Sequence, residues 1–337
     1  MDPLADALNA ETPELAELRA ANMTLQRQLV QAKARTAALI EAVENAARSA
    51  AVTVGRPKVP TVKKDKRRKD AEVALVHLTD WQCGKQTETF DSTVLAERMT
   101  RMSEKVARIT DMQRADHPVQ HCTVMLGGDM VEGVGIFPGQ AHEVDASLYG
   151  QMFTAARILE QSITDLSAVF ETVHVVTEYG NHGRLGRRGD HPAHDNADLL
   201  LYRIVQERTE SDAVTWQVST HWHQIVEIGA YRALLAHGDE IKSFGGNTPA
   251  FGILRKANSW ASGVVDDFHD VYLGHFHTPM TLTMANGRQV YVSGSPESDN
   301  QYAAEFVAAK GHPSQRLHFV DPEAGRVTAS YLVWLDQ

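Results

Sequence analysis

Cysteine is scarce: Cys83 and Cys122 are the only two in 337 residues, too few for a disulfide framework and in keeping with a reducing compartment. Long apolar runs are missing as well. No stretch of 18 or more apolar residues occurs, so no transmembrane helix is expected. The opening Met1-Asp2-Pro3-Leu4 has neither the basic start nor the apolar core of a secretory signal, and the expected setting is the cytoplasm. Net positive charge is also lacking. The chain carries −10, and a strongly acidic body repels nucleic acid unless the sign reverses locally. It reverses once: residues 56–70 hold Arg56, Lys58, Lys63, Lys64, Lys66, Arg67, Arg68 and Lys69 against only Asp65 and Asp70.

What is present falls into three parts. Residues 1–50 read as a coiled-coil helix, 51–71 as a basic linker, and 72–337 as one catalytic domain. The seam Leu15, Leu18, Asn22, Leu25, Leu29, Ala32, Thr36, Leu39, Val43 and Ala46 alternates steps of three and four, an apolar period of 3.5. Thr12 and Pro13 suit the N-cap and first helical position. With Leu15 at position a, Asn22 also falls at a, while Leu18, Leu25 and Leu39 fall at d. That pattern favours a parallel homodimer through residues 15–46, since each buried Asn can bond its twin. A single amphipathic helix folded onto its own domain is the alternative. The linker, with Gly55, Pro57 and Pro60, reads either as a solvated tether or as a phosphate-binding strap beside an active site.

From residue 72, strand-length apolar runs alternate with helical spacing. Strands are expected at 73–78, 122–126 and 173–177, with helices between and after them, an order that implies parallel strands joined by helical crossovers. Further strands follow at 225–228, 231–236 and 271–273. A hairpin then turns on Asn286-Gly287, and a closing hairpin turns on Gly325.

Five polar clusters sit at the carboxyl ends of these strands. They are Thr79-Asp80-Trp81-Gln82, Gly127-Gly128-Asp129-Met130-Val131-Glu132, Gly180-Asn181-His182-Gly183-Arg184, Ala236-His237-Gly238-Asp239 and Leu273-Gly274-His275-Phe276-His277. Ligands of open α/β sheets bind beyond the carboxyl ends of strands, so these loops should converge on one crevice. One histidine in a loop is usually structural, but four of them with carboxylates and amides at five successive strand ends are not readily assigned to structure. Oxygen and nitrogen donors suit Mn, Fe, Zn, Co or Ni better than Ca. Two divalent ions about 3.5–4 Å apart can clamp a phosphoryl group and acidify a water.

At these residues the chain resembles the calcineurin-like metallophosphoesterases, whose pattern is D-x-H, G-D-x-x-D, G-N-H-E/D, a lone His and G-H-x-H. The match runs in order over roughly residues 73–280. The resemblance implies an α/β fold, a four-layer α-β-β-α sandwich. It also implies two divalent metal ions, Mn²⁺ first among them. Asp80, Gln82 and His277 would hold one ion, and Asn181, His237 and His275 the other, with Asp129 bridging. His182 would then steady the phosphoryl oxygens and act as general acid.

Three departures stand out. Gln82 offers an amide oxygen where the family usually has imidazole, although some members carry an amide there; Glu132 replaces the second aspartate of G-D-x-x-D, and Gly183 replaces the acid after G-N-H. Behind Gly183 come Arg184, Arg187 and Arg188, read as phosphate-binding residues. Trp81 is read as a base-stacking ring or a pocket wall, and His142 as a further substrate contact. Cys83 lacks an arranged partner for nucleophilic work. Gly245-Gly246 is no phosphate loop, because no Lys-Ser/Thr follows. The leading expectation is a phosphodiesterase acting on DNA or RNA, as in the stand-alone members of bacteria and phages and the DNA-repair nucleases. A small-molecule phosphodiesterase or phosphatase and a non-catalytic scaffold are the alternatives.

Overall fold

The computed structural model describes residues 13–53, 62, 65–67, 69–137, 139–186, 188–242, 249–297 and 312–336. These form two compact units, Met1–Val54 and Gly55–Gln337. The first is a single helix, α1 (Pro13–Thr53), on which Leu18, Leu25 and Leu29 are 67, 64 and 56% exposed and Asn22 is exposed between them. Thr12 and the side chains of Leu15, Ala32, Thr36, Leu39, Val43 and Ala46 lie outside the described residues.

In the second unit, β1 (Glu72–Leu78), β2 (Val119–Leu126), β3 (Thr172–Thr177), β4 (Val214–Val218), β10 (Ser314–Asp321) and β11 (Arg326–Trp334) form one sheet. Its order is β11-β10-β1-β2-β3-β4, with β1 to β4 parallel and β10 antiparallel to β1. A second sheet has the order β5-β6-β7-β9-β8, from β5 (His223–Ile228), β6 (Tyr231–Ala236), β7 (Asp270–Leu273), β8 (Met280–Thr283) and β9 (Gln289–Val292). Strand side chains alternate between faces, and this alternation builds the layers. Leu75, Met125 and Val176 of the first sheet pack against Val226, Ala233, Leu235 and Tyr272 of the second. The opposite face of the second sheet, through Leu234, Val271, Leu273 and Val290, packs on Ile253 and Ala257 of α5 (Ala250–Ser259). On the first sheet's outer side lie α3 (Leu148–Ser167), against β3, and α4 (Ala197–Thr209), against β4, with α2 (Ser92–Gln113) beside α3. The four-layer α/β sandwich is therefore present.

Helix starts follow their caps. Asp91 accepts from the backbone N–H groups of Thr93 and Val94, Ser147 from that of Gly150, and Asn196 from that of Asp198, each satisfying donors a helix start leaves open. Two local expectations need correction. The β8–β9 connection is not a two-residue turn: Met284 and Arg288 close it by a 2.8 Å bond, leaving three residues in the loop. A two-residue type I′ turn needs positive φ at both centres, whereas Gly287 has it (84°) and Asn286 does not. β4 and α5 also join the elements expected from the sequence. No helix among the described residues is long and apolar enough to cross a membrane.

Candidate metal centre

All five polar clusters lie where strands end: after β1, β2, β3, β6 and β7. The backbone there is unusual. Among the described residues, positive φ outside glycine occurs at Asp70, Asp80, Gln82, Asp129, His275 and His277. Five of these six are expected metal ligands. Left-handed backbone is costly for residues with a Cβ and persists where the surroundings over-determine it, commonly at functional sites. The loops are also pressed together. A Cβ on Gly180 would lie 2.0 Å from Asp129 Oδ1, and one on Gly274 would lie 2.2 Å from Thr79 Oγ1 and 2.6 Å from Asp80 Oδ2. These glycines are required for the carboxylates to sit where they do.

The donors form two groups around buried Asp80 and Asp129. In one, His237 Nδ1 lies 2.8 Å from the Gly127 carbonyl oxygen, which can only accept, so Nδ1 carries the proton. Nε2 then presents its lone pair 3.1 Å from Asp129 Oδ2 and 3.2 Å from Asn181 Oδ1. His275 is edge-on to His237, with ring centroids 5.2 Å apart, and Asp129, His237 and His275 offer ligand atoms within 4.8 Å of one another. In the other, His277 Nδ1 lies 3.2 Å from Glu297 Oε2 and Nε2 lies 3.5 Å from Asp80 Oδ1. The end of the Gln82 amide that faces that same Nε2 lies 3.1 Å from it, and it is assigned as the oxygen because the other end faces the carboxylates of Glu132 and Glu297. In both groups, lone pairs converge that repel one another unless a proton or a cation lies among them. The histidine pKa values reflect this demand. Burial opposes charge on His237 and His277, yet Asp129 outweighs it at His237, and Asp80 with Glu297 outweighs it at His277, raised to about 10. The residues therefore fit divalent cations of the nitrogen- and oxygen-preferring kind.

His182 is placed beside this cage by its neighbours. Its peptide N–H donates to Asp129 Oδ1 at 2.7 Å, and its ring Nδ1 donates to the Glu132 carbonyl oxygen at 2.7 Å, which leaves Nε2 as the nitrogen available to a substrate. Burial lowers the ring's pKa, but the carboxylates of Asp129 and Glu132 outweigh it and raise the value to about 9. Glu132 thus favours the protonated His182 ring. Its own side chain is held by Gln140 at 2.9 Å.

Several expected substrate contacts are corrected. Trp81 is 0% exposed, packed into the wall, and no base can reach it. Arg184 is ion-paired with Asp239, and Arg188 approaches the same carboxylate at 3.3 Å. Two guanidinium groups are thus directed at a residue brought in by β6. Arg187 lies outside the described residues. Gly183 follows from crowding, because a Cβ there would lie 2.1 Å from Asn196 Oδ1. His142 is exposed at the end of a short turn, Gln140–His142. Cys83 is buried, and burial pushes its thiol up to about 12, which removes it as a nucleophile. The described part of the basic linker around residues 65–67 is not beside the site. Asp65 N–H donates to Glu171 and Arg67 donates to the Arg114 carbonyl oxygen, so this stretch docks at the amino ends of β2 and β3, whereas the cage occupies the carboxyl ends. The rest of the basic run, and Gly245-Gly246, fall largely outside the described residues.

Two residues of the site lay outside the expected clusters. Asp198, fully buried on α4, accepts from the backbone N–H groups of Asp129 (2.9 Å), Met130 (3.1 Å) and Gly180 (3.0 Å), clamping two ligand loops together. Glu297 follows β9 in Ser293-Gly294-Ser295-Pro296-Glu297, a sixth polar cluster at a strand's carboxyl end that the rule applied to the other five would have found.

No family model matches the chain, and no curated protein does. Among solved structures, Vps29 from Entamoeba histolytica complexed with Zn²⁺ aligns over 78% of this chain and 99% of its own, at 12% identity and a TM-score of 0.34. A metallophosphoesterase from Sphaerobacter thermophilus aligns over 78% and 89%, at 14% identity and a TM-score of 0.31. A predicted phosphoesterase from Streptococcus pneumoniae aligns over 78% and 98%, at 13% and 0.30. Likenesses this distant carry no argument about the site, which rests on the chain's own residues. The loops that converge here are those whose sequence resembles the calcineurin-like metallophosphoesterase pattern, with Gln82, Glu132 and Gly183 as its departures.

Proposed function

We propose that this chain is a metal-dependent phosphoesterase that uses two divalent ions, Mn²⁺ foremost, to hydrolyse phosphodiesters. The observation that carries the reading is the convergence of two lone-pair groups, Asp80–Gln82–His277 and Asp129–Asn181–His237–His275, on loops held in left-handed backbone. Bound divalent ions neutralise phosphoryl oxygens and lower the pKa of a water so that it can attack at neutral pH. The chain's own part is to hold and hand over protons. His182, fixed through Nδ1, presents Nε2 to the leaving oxygen and acts as general acid, work that commonly contributes 10²–10⁴-fold. A scaffold has no need of an acid oriented by Glu132 and Gln140.

For the substrate, the sequence features that support nucleic acid are the basic linker and the arginine loop. The linker's docked stretch lies at the other end of the strands, and Arg184 and Arg188 face Asp239. Both placements favour a small phosphodiester as the second reading. Phe137 adds a feature common to both: it is 42% exposed and edge-on to the His182 ring at 6.4 Å, an aromatic surface on the leaving-group side that suits a nucleoside. We further propose that α1 pairs with a second copy through Leu18, Asn22, Leu25 and Leu29.

The test is to incubate the purified protein and Mn²⁺ with bis(p-nitrophenyl) phosphate, cyclic nucleotides, and labelled single- and double-stranded DNA and RNA. Hydrolysis that chelation abolishes is expected. Polymer cleavage with steeply salt-dependent binding supports the nuclease, because polymer contacts release counterions. Turnover of small esters alone selects the second reading. Metal uptake without turnover of any ester would leave only the scaffold.

A further inference from the structure

Gln82 is the residue at which this chain departs from the family at a ligand position, and an amide raises a problem an imidazole does not. Its two ends are opposite in kind: the carbonyl oxygen can ligate a cation, and the NH₂ group repels one. Free rotation would present the wrong end as readily as the right one. The structure removes that freedom. With the oxygen turned towards His277, the amide nitrogen lies 3.2 Å from Glu132 Oε2 and 3.2 Å from Glu297 Oε2. The reversed amide would set its oxygen against two buried carboxylates.

Glu297 does more than hold Gln82. Its Oε2 also takes His277 Nδ1 at 3.2 Å, which turns the ring's Nε2 towards Asp80 Oδ1. Carboxylate–histidine pairs of this kind fix tautomer and ring orientation at metal sites. Glu297 is 5% exposed, and Lys85 Nζ, 2.5 Å from its Oε1, balances its charge in the interior. The loop is tied back to the cage as well: the Glu297 N–H donates to Ser295 Oγ at 2.9 Å, and that hydroxyl donates to the Asp80 carbonyl oxygen at 2.7 Å. One carboxylate oxygen therefore orients two of the three ligands expected at one metal position.

We propose that Glu297 is the positioning residue of the Asp80–Gln82–His277 metal position, compensating for an amide in place of the family's imidazole by locking Gln82 with its oxygen towards the cation. The inference rests on the two-metal reading above. The Glu297→Gln variant keeps the shape but must set its NH₂ group either against Lys85 Nζ or, rotated, against both the Gln82 NH₂ and the His277 N–H. Mn²⁺ binding is measured by titration calorimetry and by electron paramagnetic resonance. Wild type takes up two ions. In Glu297→Gln one of the two is weakened 10- to 100-fold, the usual cost of losing such a partner, while the other stays within threefold. Combined with Gln82→His, whose ring has no NH₂ end to restrain, the penalty of Glu297→Gln shrinks at least threefold, a coupling that a purely structural role would not produce. Lys85→Met, which leaves Glu297 in place without its cation, gives the same single-ion weakening in smaller measure and serves if the first variant does not fold. Two ions held unchanged in both variants, or equal weakening of both ions with no coupling to Gln82, overturns the role of Glu297. A wild type that binds no Mn²⁺ overturns the two-metal reading itself.

Discussion

At the residue scale, the chemistry depends on a few side chains whose neighbours leave them one orientation. His182 is the sharpest case, because its ring Nδ1 and peptide N–H are both engaged and only Nε2 remains for substrate. The peptide N–H survives substitution of the side chain, so the Asp129 carboxylate keeps that partner in a variant. His182→Gln is therefore expected to lower kcat by roughly 10²–10⁴-fold while Mn²⁺ stoichiometry, measured on the same preparation, stays at the wild-type value. Loss of metal in step with activity would place His182 in the cage rather than at the leaving group. The residues gathered around Asp80 and Asp129 were legible in the sequence as a cluster, because Asp, Asn and His beside glycines at strand ends have few structural uses. The partners of Arg184 and Gln82 were not. Asp239 reaches Arg184 from β6 and Glu297 reaches Gln82 from beyond β9, and no local spacing announces an ion pair or hydrogen bond made across sheets.

Elements explain which of the larger features could be read. Parallel β1 to β3 and their helices follow from apolar runs and helical spacing, and β10–β11 from an apolar run around Gly325, which has φ of 65°. β4 is harder: Val214-Thr215-Trp216-Gln217-Val218 is short and mixes polar with apolar residues. The seam of α1 was equally clear as a period, and its described leucines stand exposed on the helix. Exposed leucines in heptad register, with Asn22 at a, are the ground for the proposed pairing with a second copy. Replacing both Leu18 and Leu25 by Lys in the full chain is expected to reduce the mass seen by light scattering from a dimer to a single chain, with small-ester turnover within twofold of wild type. A dimer that persists in that variant would remove α1 as the interface.

On the scale of the whole molecule, the sandwich brings the carboxyl ends of β1, β2, β3, β6, β7 and β9 to one place, from two sheets that share a core of Leu75, Met125, Val176, Leu235 and Tyr272. Six loops from two sheets meet because both sheets point their strand ends the same way, and that is why residues from Asp80 to Glu297 become neighbours. The basic linker shows the converse. Its charge was plain in composition, but the place of its described residues Asp65 and Arg67 at the amino ends of β2 and β3 was decided by Glu171, Gln120 and Arg114, residues with no motif at all. The proposed chemistry depends on the cage. Crystals grown with saturating Mn²⁺ and measured at the manganese edge should show two anomalous peaks flanking Asp129, one beside Gln82 and His277 and the other beside Asn181 and His237. No peak in that cavity, or a single peak away from Asp129, would contradict it.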